Sequence, residues 1–414
     1  MTMRWLLRSI SRSAVRPPRL GPGVKRLSTV ASSLHDIGRV SVPVGSSGSV
    51  NIDLHNLAKV PSSEPLLVYL PPFITEELGG LTRLPEFCEG RATAVINYRC
   101  MEDSDEDESV HSDDSDREGI FLRRFHPGWP APLHDTLVAY TWIVNNLAPP
   151  DDQRRDIYVY GSYLGASLAT SLALTETYPR KPMAIRGCVA HNGIYDWTMF
   201  FPEHPINWTH QLQPRDVLEE SLTLPGGFYF QELKRMARIL FKTPADLFDP
   251  FASPCLFFCT PELTIPSSFV GLDSLDKVYS PELSEESTDK LVKKHLRQHQ
   301  LRFPPHFSPL QIPDMLLLHD TPPSLRRPSQ KGRRQKYGYG NDFQAQAEAL
   351  ASLMRSSIVS SEYWARGSLF DDPGSLDNEA NEWVQVYNVG ADGESSDGEN
   401  ITVEWLEGQI SSRR

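Results

Sequence analysis

The sequence predicts an α/β domain: a mostly parallel, doubly wound sheet with helices on both faces, interrupted by a cap-like insertion. Short runs rich in β-branched and aromatic residues, at Leu66–Leu70, Ala92–Tyr98, Asp156–Tyr160, Ile185–Ala190 and Met315–His319, recur between helical stretches. That is the βαβ order that builds parallel sheets. The runs are almost continuously apolar, as strands buried on both faces are. The third run passes into Gly161-Ser162-Tyr163-Leu164-Gly165 and then Ala166-Ser167-Leu168-Ala169, a strand, a sharp glycine-bracketed turn and a helix.

The first 28 residues carry Arg4, Arg8, Arg12, Arg16, Arg19, Lys25 and Arg26 and no acidic residue. With Trp5-Leu6-Leu7 they make one basic, amphipathic face, the pattern of a mitochondrial presequence, here expected over 1–33, with import to the matrix. The chain has 41 basic and 53 acidic residues, net −12; without those seven cations the balance is −19. So acidic a protein is a poor general binder of nucleic acid or anionic membrane. No apolar run approaches the ~18 residues of a spanning helix.

Residues 34–60 alternate as two strands around Gly45-Ser46-Ser47-Gly48. Residues 61–195 are expected to form the first half of the domain. Within it, 102–118 hold ten carboxylates and one arginine, a solvated insertion in which Ser104 and Ser115, each with an acidic residue three positions on, are candidate phosphorylation sites. Pro132–Leu147 reads as a helix ended by Pro149-Pro150. Residues 196–312, rich in aromatics and proline, fit the cap-like insertion, with helical patterns near Phe230–Phe241 and Thr288–Gln298. The second half, 313–389, contains an alanine-rich helix over Asn341–Ser357 and a last strand over Glu382–Tyr387; 390–414 read as an acidic loop and tail. The basic run Arg326, Arg327, Lys331, Arg333, Arg334 and Lys336 is a candidate partner-binding loop, toward a protein or, less directly, RNA. Five scattered cysteines carry no zinc-ligand spacing and read as buried thiols, and no cofactor fingerprint occurs.

Taken together, these stretches resemble the hormone-sensitive-lipase branch of the α/β-hydrolases. Asn97-Tyr98-Arg99 stands for that branch's D-Y-R. After the acidic insertion, His126-Pro127-Gly128-Trp129-Pro130-Ala131-Pro132-Leu133-His134-Asp135, with Trp142 beyond, stands for its E-H-P-x-P-A-A-x-x-D…W. Gly161–Gly165 stands for the nucleophile elbow, G-x-S-x-G. The resemblance covers residues 60–200 well and 310–390 loosely. It implies that His126, His134 and Asp135 support the elbow, and it implies carboxylic-ester hydrolysis, but the parts needed for that chemistry are altered. Tyr163 occupies the nucleophile position. Pro71, Pro72 and Phe73 replace the glycine-rich oxyanion loop, and proline has no N–H to donate. The turn of the triad acid reads His319-Asp320-Thr321-Pro322-Pro323, and no histidine follows His319. Ser162 and Ser167 are expected to pack or hydrogen-bond, and His191 to be a structural histidine.

The expectation is therefore an inactive binding or scaffold protein with an unknown protein partner or a small hydrophobic ligand. Two alternatives stand beside it. One is an esterase or acyl-transfer enzyme with a displaced triad built on His191 or His319. The other is a subunit of a larger mitochondrial protein or ribonucleoprotein assembly.

Overall fold

The structure, a computed structural model, describes residues 37–72, 84–100, 128–150, 153–201, 204–207, 230, 233–234, 237, 240–261, 299–320, 341–366, 373–390 and 396–413. The leader, Phe73, Ser104, Ser115, His126, Pro127, the helix expected at 288–298 and the basic loop at 326–336 lie outside them. The described residues belong to one compact unit, Asp36–Arg414.

Eight described strands form one sheet: β1 (Ile37–Pro43), β2 (Ser49–His55), β3 (Leu66–Leu70), β4 (Thr93–Asn97), β5 (Arg155–Ser162), β6 (Met183–His191), β7 (Asp314–His319) and β8 (Val384–Asn388). Their order is β1-β2-β4-β3-β5-β6-β7-β8. Strand β2 runs antiparallel to both its neighbours; from β4 to β8 every pairing is parallel. This is the sheet of the α/β-hydrolase fold, as the sequence predicts.

The strands form where apolar runs can be buried twice over. Every residue of β3 is buried, as is all of β6 except His191. At the β1–β2 edge, one face is solvated, and Arg39 forks onto Asp53, its cross-strand partner, at 2.6 and 2.9 Å. Asn97 of β4 donates to the same carboxylate at 2.8 Å.

Helices cover both faces. On one lie α1 (Ala131–Asn146), α2 (Leu164–Glu176) and α3 (Phe343–Arg366). Phe343, Ala347, Leu350, Ala351, Met354 and Ile358 of α3 are buried at three- and four-residue spacing, the stripe of a helix lying on a core. Buried Gln346 ties α3 to the segment after β6: Oε1 accepts from Tyr195 N and Asp196 N, both at 2.8 Å, and Nε2 donates to the Asp196 carbonyl and to Asn341.

The C-terminal region departs from expectation in two places. Residues Pro373–Trp383 form a helix, α4, so the last strand begins at Val384 rather than Glu382. Within the stretch read as an acidic loop and tail, Ser396–Arg413 form an 18-residue helix, α5. Its Trp405 and Leu406 are buried on the second face with Leu67, Tyr158, Val189, Leu316 and Leu318. Tertiary packing supplies what local propensity does not. No described helix is long and apolar enough to cross a membrane.

Candidate functional site

The turn between β5 and α2 has the backbone of a nucleophile elbow. Tyr163 sits at φ 52°, ψ −117°, a region that side-chain-bearing residues rarely occupy and that costs roughly 1–3 kcal/mol. The flanking glycines are obligatory for steric reasons. A Cβ on Gly161 would lie 2.3 Å from the Gly165 carbonyl oxygen, and one on Gly165 would lie 2.2 Å from that of Leu70. The Tyr163 N–H extends the sheet by bonding to the His191 carbonyl at 2.9 Å, and Ala166 N–H closes the first turn of α2 onto the Tyr163 carbonyl at 3.1 Å. Leu164 and Gly165 place the remaining first-turn N–H groups at the helix N-terminus, where an anion is favoured.

Strands β6 and β7 end beside this turn and bring two distant residues together. His191 Nε2 lies 2.9 Å from Asp320 Oδ1. Asn192, at φ 52°, holds the same carboxylate: its Nδ2 donates to Asp320 Oδ2 at 2.6 Å, and its Oδ1 accepts the Asp320 N–H at 3.0 Å. Asp320 is 7% exposed, whereas a quarter of the His191 side chain is exposed. The His191 and Tyr163 ring centroids are 6.4 Å apart. On its other side Tyr163 meets Phe343 edge-on at 5.8 Å, and from there an aromatic run passes through Phe230, Phe200, Trp197 and Phe241 to Trp129. His319 is buried, and its Nδ1 donates to the Asp320 carbonyl at 3.1 Å.

The other altered parts are also occupied. The Pro71 carbonyl accepts the buried Tyr98 hydroxyl at 2.7 Å, so the loop leaving β3 is anchored through an acceptor. Burial pushes the Tyr98 phenol well up from its ordinary value, which keeps it a donor. Ser162 is hydrogen-bonded to Tyr69, whose phenol burial also raises. Ser167 donates to the Ile194 carbonyl at 2.5 Å and accepts its N–H at 3.2 Å. Both serines are thus hydrogen-bonded within the fold.

Asp135, read as scaffold, is fully buried and clamps Arg99: it takes the backbone N–H at 2.8 Å, Nε at 2.9 Å and Nη2 at 2.6 Å. His134, expected to support the elbow, is instead exposed, because its position on α1 faces away from the core. Trp129 Nε1 donates to Asp249 at 3.0 Å. Cys255 and Cys259 are buried free thiols; Cys259 Sγ donates to the Cys255 carbonyl. Among the described residues no group of three or more His, Cys, Asp and Glu side chains could hold a metal ion.

One site feature corrects the sequence reading. A histidine–carboxylate pair does stand at the elbow, but its histidine comes from the end of β6. The pair is separated by 129 positions. The available signal was that both residues terminate apolar runs, because adjacent parallel strands end on one edge of a sheet, where such folds build their sites.

No family model matches the chain, and no curated protein matches it. Among solved structures, it is similar to an esterase of Pyrobaculum calidifontis, at 12% identity over 92% of this chain and 87% of that one, TM-score 0.43. It is similar to carboxyl esterase 2 of the mycorrhizal fungus Tuber melanosporum, at 13% identity over 91% and 87%, TM-score 0.42. Brefeldin A esterase, described as a bacterial homologue of human hormone-sensitive lipase, gives 14% identity over 93% and 80%, TM-score 0.43. At these values the fold rests on the sheet order and the elbow geometry described above.

Proposed function

We propose that this chain is a binding or scaffold protein built on the α/β-hydrolase fold and without serine-hydrolase turnover. One observation carries the reading: the elbow keeps its strained backbone while presenting Tyr163, whose ring packs against His191 and Phe343. The phenol occupies the space in which a serine would meet an ester carbonyl. The loss is compounded next door, where Pro71 and Pro72 offer no N–H; removing a single oxyanion donor costs roughly 10²–10³ in rate. The aromatic run above Tyr163 suits a small hydrophobic ligand. A fluorophosphonate serine-hydrolase probe tests the reading on the purified full chain. No serine should be labelled; labelling abolished by Ser162→Ala or Ser167→Ala would sink it.

The basic leader supports residence in the mitochondrial matrix, and the loop at 326–336 supports recognition of a partner, including as part of a larger assembly. A fluorescent fusion lacking residues 1–28 should then lose mitochondrial location. Co-purification of the partner should weaken with salt and vanish when Arg326, Arg327, Arg333 and Arg334 become alanine. A specific observation, the His191–Asp320 pair, favours a second reading in which acyl-transfer chemistry persists in displaced form, and it leads to the inference below.

A further inference from the structure

We infer that Tyr163 is a reactive phenol that accepts an acyl group from an activated ester, with His191 as its base and Asp320 as the residue that positions the base. The inference rests on the reading above that no serine is the nucleophile at this turn. The geometry has three parts. Tyr163 stands at the tip of the elbow, beside the His191 ring. The imidazole is held by the buried Asp320 carboxylate, to which Asn192 Nδ2 donates while its Oδ1 accepts the Asp320 backbone N–H, the arrangement by which an acid orients a catalytic histidine. With Nε2–H directed at that carboxylate, Nδ1 is the acceptor of the neutral ring, and no described residue engages it. The N-terminal turn of α2 supplies the third part, main-chain N–H groups next to Tyr163, where charge would develop on an attacked carbonyl oxygen.

The step balances without a further reactant. The phenol oxygen attacks the ester carbonyl as its proton passes to His191 Nδ1. The tetrahedral species collapses, the bond to the departing alkoxide or phenoxide breaks, and the proton leaves with it or goes to water. The product is a tyrosine ester. The loop after β3 adds no donor from Pro71 or Pro72 to either step. The adduct accumulates once per chain because an activated ester, whose leaving group is a weaker base than tyrosinate, transfers its acyl group faster than the tyrosine ester yields it to water. This is acceptance of a group rather than turnover.

The probe is p-nitrophenyl acetate, applied to the full-length protein with p-nitrophenolate release and peptide mass spectrometry read together. A single-equivalent burst with acetate on Tyr163 is expected. Tyr163→Phe, which removes only a hydroxyl, should abolish the burst. His191→Gln should slow acetylation about 10²-fold, the range of general-base assistance, and flatten its pH–rate profile. Asp320→Asn should slow it by a smaller factor, and circular dichroism would confirm that each variant is folded. Acetylation of Tyr163 no faster than that of N-acetyltyrosinamide, or indifferent to His191→Gln, would overturn the inference. So would a chain that takes up no acetate, which leaves the binding-protein reading standing. An adduct on a serine would overturn both.

Discussion

The elbow between β5 and α2 and the loop leaving β3 touch each other, yet they differ in what they present. At the elbow the backbone is that of a nucleophile turn and the side chain is a phenol: Tyr163 adopts φ 52°, between two glycines whose Cβ positions are filled by carbonyl groups. At the β3 loop, prolines stand where main-chain donors would be needed, and what remains is an acceptor, the Pro71 carbonyl, bound by Tyr98. The elbow glycines are fixed because α2 must lie against Leu70 and Pro71, a packing requirement independent of any reaction. The donors of the loop serve only chemistry. The glycines of the elbow are required by packing alone, whereas nothing in the packing of the β3 loop requires main-chain donors there.

The largest break of that comparison is Gly165→Ala. Its methyl group would sit 2.2 Å from the Leu70 carbonyl oxygen and 2.6 Å from that of Pro71, both main-chain atoms that yield only if α2 lifts from β3. A loss of about 4 kcal/mol is expected in urea denaturation, toward the upper end for single substitutions. A loss below 1 kcal/mol would show that the frame does not impose the turn.

Next comes Asp135→Ala. It removes the carboxylate that receives three N–H groups of Arg99 and should cost about 3 kcal/mol, as breaking a buried pair does. Equal cost for Asp135→Asn would mean that the charge contributes nothing there.

A smaller effect comes from pH. Burial lowers the imidazole of His204 to about 4, below the ordinary 6.5, and its Nδ1 accepts the Ile206 N–H, as a neutral ring can. The unfolded chain therefore takes up this proton first as pH falls. The stability involved is fully present above pH 6.5 and lost between 6.5 and 4, about 3 kcal/mol in all. His204→Gln should flatten that part of the pH–stability curve; an unchanged curve would place the acid sensitivity elsewhere.

The smallest expected effect is that of Tyr163→Phe, within about 0.5 kcal/mol of the parent chain by thermal unfolding, because the ring contacts remain. A substantial loss would assign the hydroxyl a structural role.

The sheet was legible in the sequence because β3, β5, β6 and β7 are short, nearly uninterrupted apolar runs, and because glycine spacing at 161 and 165 admits few conformations. The two late helices were not. Pro373–Trp383 is rich in Asn, Asp and Glu, and the alternation that reveals β8 continues misleadingly through Glu382 and Trp383. In α5 the packing residues are few, and only their docking on a distant face selects the helix. The same distance hid half of the site. Tyr163 is conspicuous against its glycine bracket, whereas the partnership of His191 with Asp320 exists only once β6 and β7 are side by side. Chain order, which places the histidine of the resembled family after the last strand, pointed to its absence.

The position of α5 has a consequence for how the molecule comes into being. Synthesis runs from the N-terminus, and domains acquire structure as they emerge. Every strand of this sheet precedes α5 in the chain, so the face formed by Tyr158, Val189, Leu316 and Leu318 waits for Trp405 and Leu406 to arrive. Until then a nascent chain with its β-strands already paired presents sticky surface to its surroundings. Docking is then secured at separate points, by Arg413 on Asp314 at 2.5 Å and by Glu407 on Arg91 at 3.2 Å.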